Sequence, residues 1–336
     1  MTQYSHSRLS SFEQCKLKYK YRYIDKIKPT IEKTIEAHLG SCVHDTLEWL
    51  YKEILQNNLP TLDALIEKYT NKWQQDYKKN FLIVKKEFKA EDYFNKGIKF
   101  LIDYYLKHKP FQDGTLELEK KIFVKLEPNY PHTIIGYIDR LVYNKETEEY
   151  EIHDYKTAKN IPPKNKIESD RQLALYSIAI KQLFGEDKKI LLTWHYLSHN
   201  KRIDSRRTDQ QLTQLKQDII NLIKEIESTT EFPPTKSILC NWCEYQEICP
   251  VFNKEITDKA RFLRKDLTKG NLKGPNFSKQ KMPQNSIIKS IHNCAQKTDI
   301  RNAPRPQDSE VISNLSSEKK DNFNKEFPTA SKYIKN

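Results

Sequence analysis

The sequence predicts an α/β fold, with a central sheet and helices packed in front of it. Three observations support this fold class. Residues 116–124 alternate between polar and apolar side chains, as a half-buried strand does. Residues 134–141 and 151–157 are rich in β-branched and aromatic residues, which predicts two further strands. Helical periodicity precedes these strands at 35–56 and returns after them at 168–184, and such interleaving is typical of an α/β core.

The first hundred residues are predicted to be helical. Residues 7–27 form an aromatic-rich helix that begins at Ser7 or Ser10, and Ser10 with Glu13 fits the pattern of a capping box. The apolar spacing then predicts three more helices, two of them rich in lysine. Their bounds are residues 35–56, 61–80 and 89–108.

Beyond the predicted hairpin, strands and helices continue to alternate. Strands are expected at 189–197 and 200–207, and a helix at 209–228. A Phe-Pro-Pro sequence beginning at Phe232 ends the regular structure. From about residue 255 the apolar periodicity fades and polar residues dominate, which predicts a mostly disordered tail.

The composition limits the classes of function. The 336 residues are enough for one large domain or two smaller ones. Only 7 are glycine, and no glycine-rich phosphate loop is present, so a nucleotide-driven motor is not expected. The net charge is +13, and +8 of it lies in the tail from Glu255 to Asn336. A basic chain attracts nucleic acid, although such a tail can also serve solubility alone.

The N-terminus is polar and lacks the apolar stretch of a signal peptide. No apolar run approaches the ~18–20 residues that span a bilayer. We therefore expect a cytoplasmic protein with no membrane partner. Because thiols stay reduced in the cytoplasm, the six cysteines indicate metal or cluster ligation rather than disulfides.

Acidic and basic side chains meet on the predicted hairpin. Asp154 and Lys156 are two positions apart on one strand, so their side chains point to the same face. If the two strands pair, Asp139 lies close to Asp154. Two adjacent carboxylates repel each other, and a divalent cation removes the conflict.

This arrangement predicts metal-dependent phosphodiester hydrolysis. Mg²⁺ takes one or two carboxylates and keeps several waters, one of which can attack a phosphate. A nearby lysine can orient that water or stabilise charge in the transition state. Taken alone, however, the Asp-x-Lys pattern is also compatible with an ordinary surface ion pair.

Other polar residues are candidates for the same site. His44 lies on a predicted helix, where a single histidine is more often a satisfied polar residue than a ligand. Glu119 either contributes to the electrostatics of the site or faces solvent. Gln172 and Tyr176 are four positions apart on a helix and share a face, from which both can reach a phosphate or hold the lysine.

Three cysteines, Cys240, Cys243 and Cys249, lie within ten residues, and a proline follows the last. The C-x₂-C spacing chelates metals, and a proline after the last cysteine is a feature of ferredoxin-type runs. A structural zinc site is the alternative. A fourth ligand must come from elsewhere, and Cys15 and Cys42 are the candidates outside the tail.

Together these motifs resemble the PD-(D/E)XK nuclease superfamily, in its RecB-like branch with an iron–sulfur cluster. This branch includes CRISPR-associated single-strand exonucleases and the nuclease domains of AddB-type recombination proteins. Five motifs occur in the right order over residues ~7–250, which is hard to obtain by chance. They are Gly40-x₃-His44, Gly136-Tyr137-Ile138-Asp139, Asp154-Tyr155-Lys156-Thr157, Gln172-x₃-Tyr176, and Cys15 with Cys240, Cys243 and Cys249.

The resemblance implies a restriction-endonuclease-like core, that is, a central mixed sheet flanked by helices. It implies that His44, Asp139 and Asp154 bind a catalytic Mg²⁺ or Mn²⁺. The main-chain carbonyl of Tyr155 would be a further ligand. Lys156 would be the catalytic lysine.

The resemblance also implies that Gln172 and Tyr176 line the site. Cys15 and the three C-terminal cysteines would ligate a 4Fe-4S cluster, with zinc as the alternative metal. The cluster would join the N-terminal helix to the end of the domain across more than 200 residues, which removes much unfolded-chain entropy. Cys42 has no role in this pattern and is expected to be a buried thiol.

The expected domain organisation follows. Residues 1–254 form a nuclease domain, with a helical lobe at 35–110, a catalytic core at 115–230 and a cysteine segment at 240–250. Residues 255–336 form a basic tail outside the resemblance.

The expected function is a metal-dependent DNA nuclease, an exonuclease on single-stranded DNA or DNA ends, in repair, recombination or CRISPR-type processing. The chain has no helicase motif, so unwinding would come from a helicase, CRISPR or recombination partner. One rival is a DNA-binding or scaffold subunit that does not cut. Another is a zinc-stabilised interaction protein.

Overall fold

The computed structural model describes residues 2–29 and 31–253. Its strands are β1 (Gln3–Ser5), β2 (Thr115–Lys125), β3 (Thr133–Asn144), β4 (Glu149–Lys156), β5 (Lys189–Tyr196) and β6 (Lys201–Ser205). Its helices are α1 (His6–Gln14), α2 (Lys16–Tyr19), α3 (Ile35–Leu55), α4 (Leu62–Asp76), α5 (Ala90–His108), α6 (Lys164–Glu168), α7 (Arg171–Phe184) and α8 (Asp209–Ser228). Short π or 3₁₀ turns occur at Lys20–Ile24, Leu197–His199, Ile238–Trp242 and Gln246–Ile248.

The six strands form one mixed sheet in the order β1-β3-β4-β5-β6, and β2 also pairs with β3. The pairs β2–β3, β3–β4 and β5–β6 are antiparallel, whereas β1–β3 and β4–β5 are parallel. A mixed sheet flanked by helices confirms the predicted α/β fold class.

The sheet forks between β3 and β4. Their ladder runs from the pair Asn144 and Glu149 to the pair Arg140 and His153, where it ends. β2 continues along the other edge of β3 as far as its first residue, Thr133. The edge that β4 leaves is taken by β1, which pairs with the start of β3.

Two hydrophobic cores hold the layers together. One lies between the sheet and helices α1, α7 and α8, and it includes Ile138, Leu175 and Ile223. The other is formed by helices α3, α4 and α5 and meets the sheet at Tyr155. Tyr155 therefore lies where the helical layer covers the fork.

The N-terminal helix begins earlier than predicted. Its N-cap is Ser5, whose hydroxyl accepts a hydrogen bond from a backbone N–H three residues on, so the helix starts at neither Ser7 nor Ser10. Ser10 and Glu13 do not form the predicted capping box. Both instead accept hydrogen bonds from Arg171, and Glu13 binds both terminal nitrogens of its guanidinium. Charge-assisted hydrogen bonds are stronger than neutral ones, so Glu13 binds the guanidinium rather than a backbone N–H of its own helix.

The predicted helix 7–27 is also interrupted. Cys15 has φ −163° and ψ 109°, an extended conformation that separates α1 from α2. The chain then continues as α2 and a π turn, Lys20–Ile24. The remaining helices and strands of the prediction are present, with ends that differ by a few residues.

Helix α7 begins at Arg171 rather than at residue 168, because Asp170 caps it by accepting a hydrogen bond from the N–H of Leu173. The predicted tail, with the cysteine at 294, lies outside the described residues. Among the helices in the described part of the chain, none has the length and apolar character needed to cross a bilayer.

Candidate active site

Asp139 lies at the fork, one residue past the last ladder pair of β3 and β4. The backbone N–H of Tyr155 donates to Oδ2 of Asp139 at 2.9 Å, in the place where a strand carbonyl would otherwise accept. A carboxylate that accepts a backbone hydrogen bond is held in a defined position. The fork thus exposes one acidic side chain and fixes its orientation.

His44 reaches the same point from helix α3. Its Nε2 lies 2.7 Å from the carbonyl oxygen of Tyr155, and its Nδ1 lies 3.3 Å from Oδ2 of Asp139. Burial lowers the pKa of His44, but its contact with Asp139 outweighs this effect and raises the pKa to about 9. Both ring nitrogens face acceptors, so a proton occupies this site when no cation does.

Glu119 is the third member of this cluster. The neighbouring ladder pairs, Leu118 with Arg140 and Lys120 with Ile138, place it opposite Asp139. Ligand atoms of His44, Glu119 and Asp139 lie within 4.8 Å of one another. The sequence left the side chain of Glu119 either in the site or in solvent, and the strand pairing brings it into the site.

Two properties of Glu119 are unusual for a strand residue. Its φ is 45°, in the left-handed region, which costs a non-glycine residue of order 1–3 kcal/mol. Burial, followed by the charges of Asp139 and Glu48, raises the pKa of Glu119 to about 7. Strain and a raised pKa at one position are typical of a functional carboxylate.

Asp154 and Lys156 share a face of β4, as predicted. Oδ2 of Asp154 lies 2.7 Å from Nζ of Lys156, and Nζ also donates to Oε1 of Gln172 at 3.1 Å. Gln172 in turn donates to the hydroxyl of Tyr176 at 3.3 Å. The ring of Tyr176 packs on Gly136 of β3, where a Cβ atom would lie 2.4 Å from its Cε1. The four predicted residues thus form one chain of contacts.

Asp154 lies beside the cluster of His44, Glu119 and Asp139 rather than in it. It is buried, and burial raises its pKa to about 6; Lys156 lowers this pKa and Asp139 raises it. Its carboxylate faces the lysine. The predicted ligands His44, Asp139 and the Tyr155 carbonyl therefore converge with Glu119, while Asp154 joins them to Lys156.

A buried polar network lies behind Tyr155. Arg140, which is 1% exposed, donates from Nε to the hydroxyl of Tyr155 at 2.9 Å and also binds Asp113. Its guanidinium carbon lies 4.2 Å from the ring centre of Tyr51, and one nitrogen lies 2.8 Å from Nδ1 of His153. The backbone of Tyr155 holds Asp139 and His44, and its side chain is anchored by this network.

The arginine determines the tautomer of His153. Guanidinium only donates, so Nδ1 of His153 accepts from Arg140, and Nε2 of His195 lies 2.8 Å from the same atom. Nε2 of His153 then donates to Glu151 at 3.0 Å. Burial, followed by nearby positive charges, lowers the pKa of both histidines. The sequence carries no signal for this network, because its members come from several segments without a shared motif.

The four cysteines of the predicted cluster line one pocket, between the break at Cys15 and the segment 240–250. The N–H of Thr235 donates to the sulfur of Cys15, and the N–H of Ser237 to that of Cys240, both at 3.4 Å. Cys42 lies elsewhere, fully buried in helix α3, and burial raises the pKa of its thiol to about 12.

The raised pKa values lead to a prediction for cation binding. Glu119, Asp154 and His44 all hold protons more strongly in the metal-free protein than when unfolded, so a cation must displace protons to bind. We expect the Mn²⁺ affinity to rise as the pH increases from 6 to 8. Titration calorimetry on protein treated with EDTA measures this change.

The matched variants are Glu119→Gln and Glu117→Gln. The first should weaken Mn²⁺ binding about 10-fold or more and flatten its pH dependence, because it removes a titrating ligand. The second removes an exposed carboxylate that pairs with Lys120 and should leave both unchanged. An affinity that does not vary between pH 6 and 8 would contradict the displacement of protons.

The chain is similar to known nucleases in sequence profile. The sequence profile of the PD-(D/E)XK nuclease superfamily matches residues 3–250. No curated protein sequence matches the chain. The crystal structure of SSO0001 has a TM-score of 0.36 and 13% identity, covering 75% of this chain and 87% of that one. A crystal structure of a candidate exonuclease from Eubacterium rectale has a TM-score of 0.44 and 14% identity, covering 72% and 87%.

Proposed function

The chain belongs to the PD-(D/E)XK nuclease superfamily, whose members are metal-dependent hydrolases, and from this premise we propose that it is a deoxyribonuclease. Its substrate is single-stranded DNA or a DNA end, which it degrades as an exonuclease. The observation that carries the proposal is the cluster of His44, Glu119 and Asp139 beside the ion pair of Asp154 and Lys156. Cation ligands and the fixed ammonium of Lys156 lie together where β3 and β4 separate, and this combination suits phosphodiester hydrolysis.

The residues at the fork fit a divalent cation. Carboxylate and carbonyl oxygens suit Mg²⁺ and Mn²⁺, and an imidazole nitrogen is compatible with Mn²⁺. His44, Glu119 and Asp139 would hold it with the carbonyl of Tyr155, and Asp154 would complete the set. When bound, such a cation polarises a phosphoryl oxygen and lowers the pKa of a coordinated water.

Lys156 acts as a charged donor in this proposal. Burial lowers its pKa, but the charge of Asp154 outweighs this effect, so the pKa is raised and the ammonium stays protonated at neutral pH. An ammonium has no lone pair and cannot take a proton from water. Its role is therefore to stabilise negative charge as the phosphate is attacked, while Gln172 keeps it in place.

The test is a nuclease assay on end-labelled single-stranded and duplex DNA, with protein purified without oxygen. We expect shortening of the single strand with Mg²⁺ or Mn²⁺, and none with EDTA or with the Asp154→Ala variant. Salt-sensitive binding without cleavage would instead favour the rival function, a DNA-binding or scaffold subunit.

We further propose that Cys15, Cys240, Cys243 and Cys249 ligate a 4Fe-4S cluster. The common pocket and the backbone N–H donors to two of the sulfurs support this ligation. Tetrahedral zinc, with bonds of about 2.3 Å, is the alternative metal for the same four sulfurs.

The cluster proposal predicts brown protein that contains iron and absorbs broadly in the visible range. Cys249→Ser should lose the colour and unfold at lower temperature, because the link between α1 and the end of the domain is lost. Cys42→Ser is the control, since that buried thiol lies outside the pocket, and it should keep its iron. Colourless protein with stoichiometric zinc would contradict the cluster.

The pathway and the partners come from the resemblance alone. We propose repair, recombination or CRISPR-type processing, with unwinding supplied by a helicase or another protein of the same pathway.

A further inference from the structure

The sheet face that carries Glu119 and Asp139 continues beyond them into solvent. The register of β2 and β3 pairs Lys121 with Tyr137, Phe123 with Ile135, and Lys125 with Thr133. Directly opposed residues of an antiparallel pair lie on the same face. We call these six residues the aromatic–lysine strip; they are Lys121, Phe123, Lys125, Thr133, Ile135 and Tyr137.

The alternation along both strands separates two environments. The residues between those of the strip are buried in the core that contains helix α7; they include Ile122, Val124 and Ile134. The strip itself is exposed or half-buried. Helix α3 lies over this face beside the fork, where His44, Glu48 and Tyr51 meet Glu119 and Asp139. One side of the strand pair is therefore structural, and within the described residues the other side is open to solvent.

The strip exposes large aromatic side chains. Phe123 and Tyr137 are each 49% exposed. Among the described residues, the other aromatic side chains exposed to more than about a third are Phe184 and Phe252. Nζ of Lys121 lies 5.2 Å from the ring centre of Phe123, so a cation stands beside an open ring face. Exposed aromatic rings next to cations commonly mark a binding surface.

We propose that the aromatic–lysine strip binds single-stranded DNA and guides it to the cluster at the fork. Unpaired bases stack on aromatic rings, and lysines bind the phosphates between them. In a duplex the base faces are stacked on one another and cannot reach the rings, so the strip selects a single strand. This inference rests on the proposed nuclease function and names the surface that determines its substrate.

The distances suit a strand that runs along the sheet. Residues two apart on a strand are separated by about 6.8 Å, so Tyr137 lies one such step from Asp139. Phe123 is diagonal to Tyr137, at about 7–8 Å. Two bases stacked on these rings would place the following phosphate near the carboxylates of the fork.

The charges of the strip favour DNA over a protein partner. It contains two lysines and no acidic residue, whereas the fork at its end carries the carboxylates of Glu119 and Asp139. Phosphates are attracted along the strip, and at its end they need a cation between themselves and the carboxylates. An interface with a second copy of the chain does not require aromatic rings aligned with the carboxylates of Glu119 and Asp139, whereas a DNA strand that is cut at those carboxylates does.

The test measures the affinity of a fluorescein-labelled oligonucleotide in EDTA, where no cleavage occurs. For Phe123→Ala with Tyr137→Ala we expect single-strand affinity to fall roughly 10-fold or more per ring, and duplex affinity to change little. For Lys121→Gln with Lys125→Gln, the slope of log affinity against log salt should decrease by about 0.7 per lysine. The lysine variants leave the core untouched, so they keep the test valid if the aromatic variants fold poorly.

Phe184→Ala is the matched control. Its ring is 37% exposed at the end of helix α7 and lies 6.0 Å from Nζ of Lys120, a similar ring and cation outside the strip. It should bind the oligonucleotide like the wild type.

A second assay separates this inference from the proposed function. The wild type is tested on bis(p-nitrophenyl) phosphate, which has no base to stack, and on the oligonucleotide with Mn²⁺. Failure on both substrates counts against the nuclease function. If the wild type cleaves DNA but the aromatic double variant binds single strands as tightly as the wild type, the proposed role of the strip is refuted and the nuclease function stands. A variant that loses self-association in light scattering but keeps its DNA affinity also overturns it, in favour of a protein interface.

Discussion

Replacing Lys156 with alanine is expected to reduce DNA cleavage by about 10²–10³-fold, the cost of losing one preorganised donor to the transition state. The ammonium lies 2.7 Å from Asp154 and is held by Gln172, and these two contacts fix its position beside the fork. The loss should appear in kcat more than in KM, because the ammonium acts on charge that develops during the reaction.

The fold should survive this change. Lys156 is 31% exposed at the end of β4, and Asp154, with a pKa already near 6, can take up a proton when its partner is lost. The control is Lys164→Ala, which removes a lysine that is 89% exposed and should cleave normally. Undiminished cleavage by a Lys156→Ala preparation that is free of contaminating nucleases would refute the role of the lysine.

Replacing Arg140 with alanine is expected to lower the free energy of unfolding by about 3–5 kcal/mol, because its buried partners Tyr155 and His153 each lose a hydrogen-bond donor. The guanidinium is almost fully buried and binds Asp113, Tyr155 and His153. Its removal leaves several buried polar groups without a donor, and each of these costs free energy. Urea unfolding at fixed pH and metal concentration measures the change.

The matched control for Arg140 is an arginine with an exposed head group. Arg206 is 59% exposed and pairs with Glu149, so Arg206→Ala should cost at most about 1 kcal/mol. Any folded Arg140→Ala protein should also bind Mn²⁺ more weakly, since the Tyr155 side chain that orients the fork has lost its anchor. Equal unfolding free energies for the two variants would show that the network adds no stability.

Local periodicity was enough to predict several features of the fold and the site. Alternation with period two requires Asp154 and Lys156 to share a face wherever β4 lies in the fold. The helical spacing predicted helix 35–56, and the structure has Ile35–Leu55. The spacing of Cys240 and Cys243 is likewise a local property of the chain. In each case the interacting residues are near neighbours, so no long-range contact is needed to predict them.

Contacts between distant segments could not be predicted in this way. Glu119 joined Asp139 because of the register between β2 and β3, and a shift of one residue would have turned it to the other face. Glu13 pairs with Arg171, 158 positions away in the sequence, instead of capping its own helix. The contacts of Arg140 likewise depend on packing between segments that lie far apart in sequence. Such contacts form because burial makes polar groups seek partners, and which partner is near depends on the whole fold.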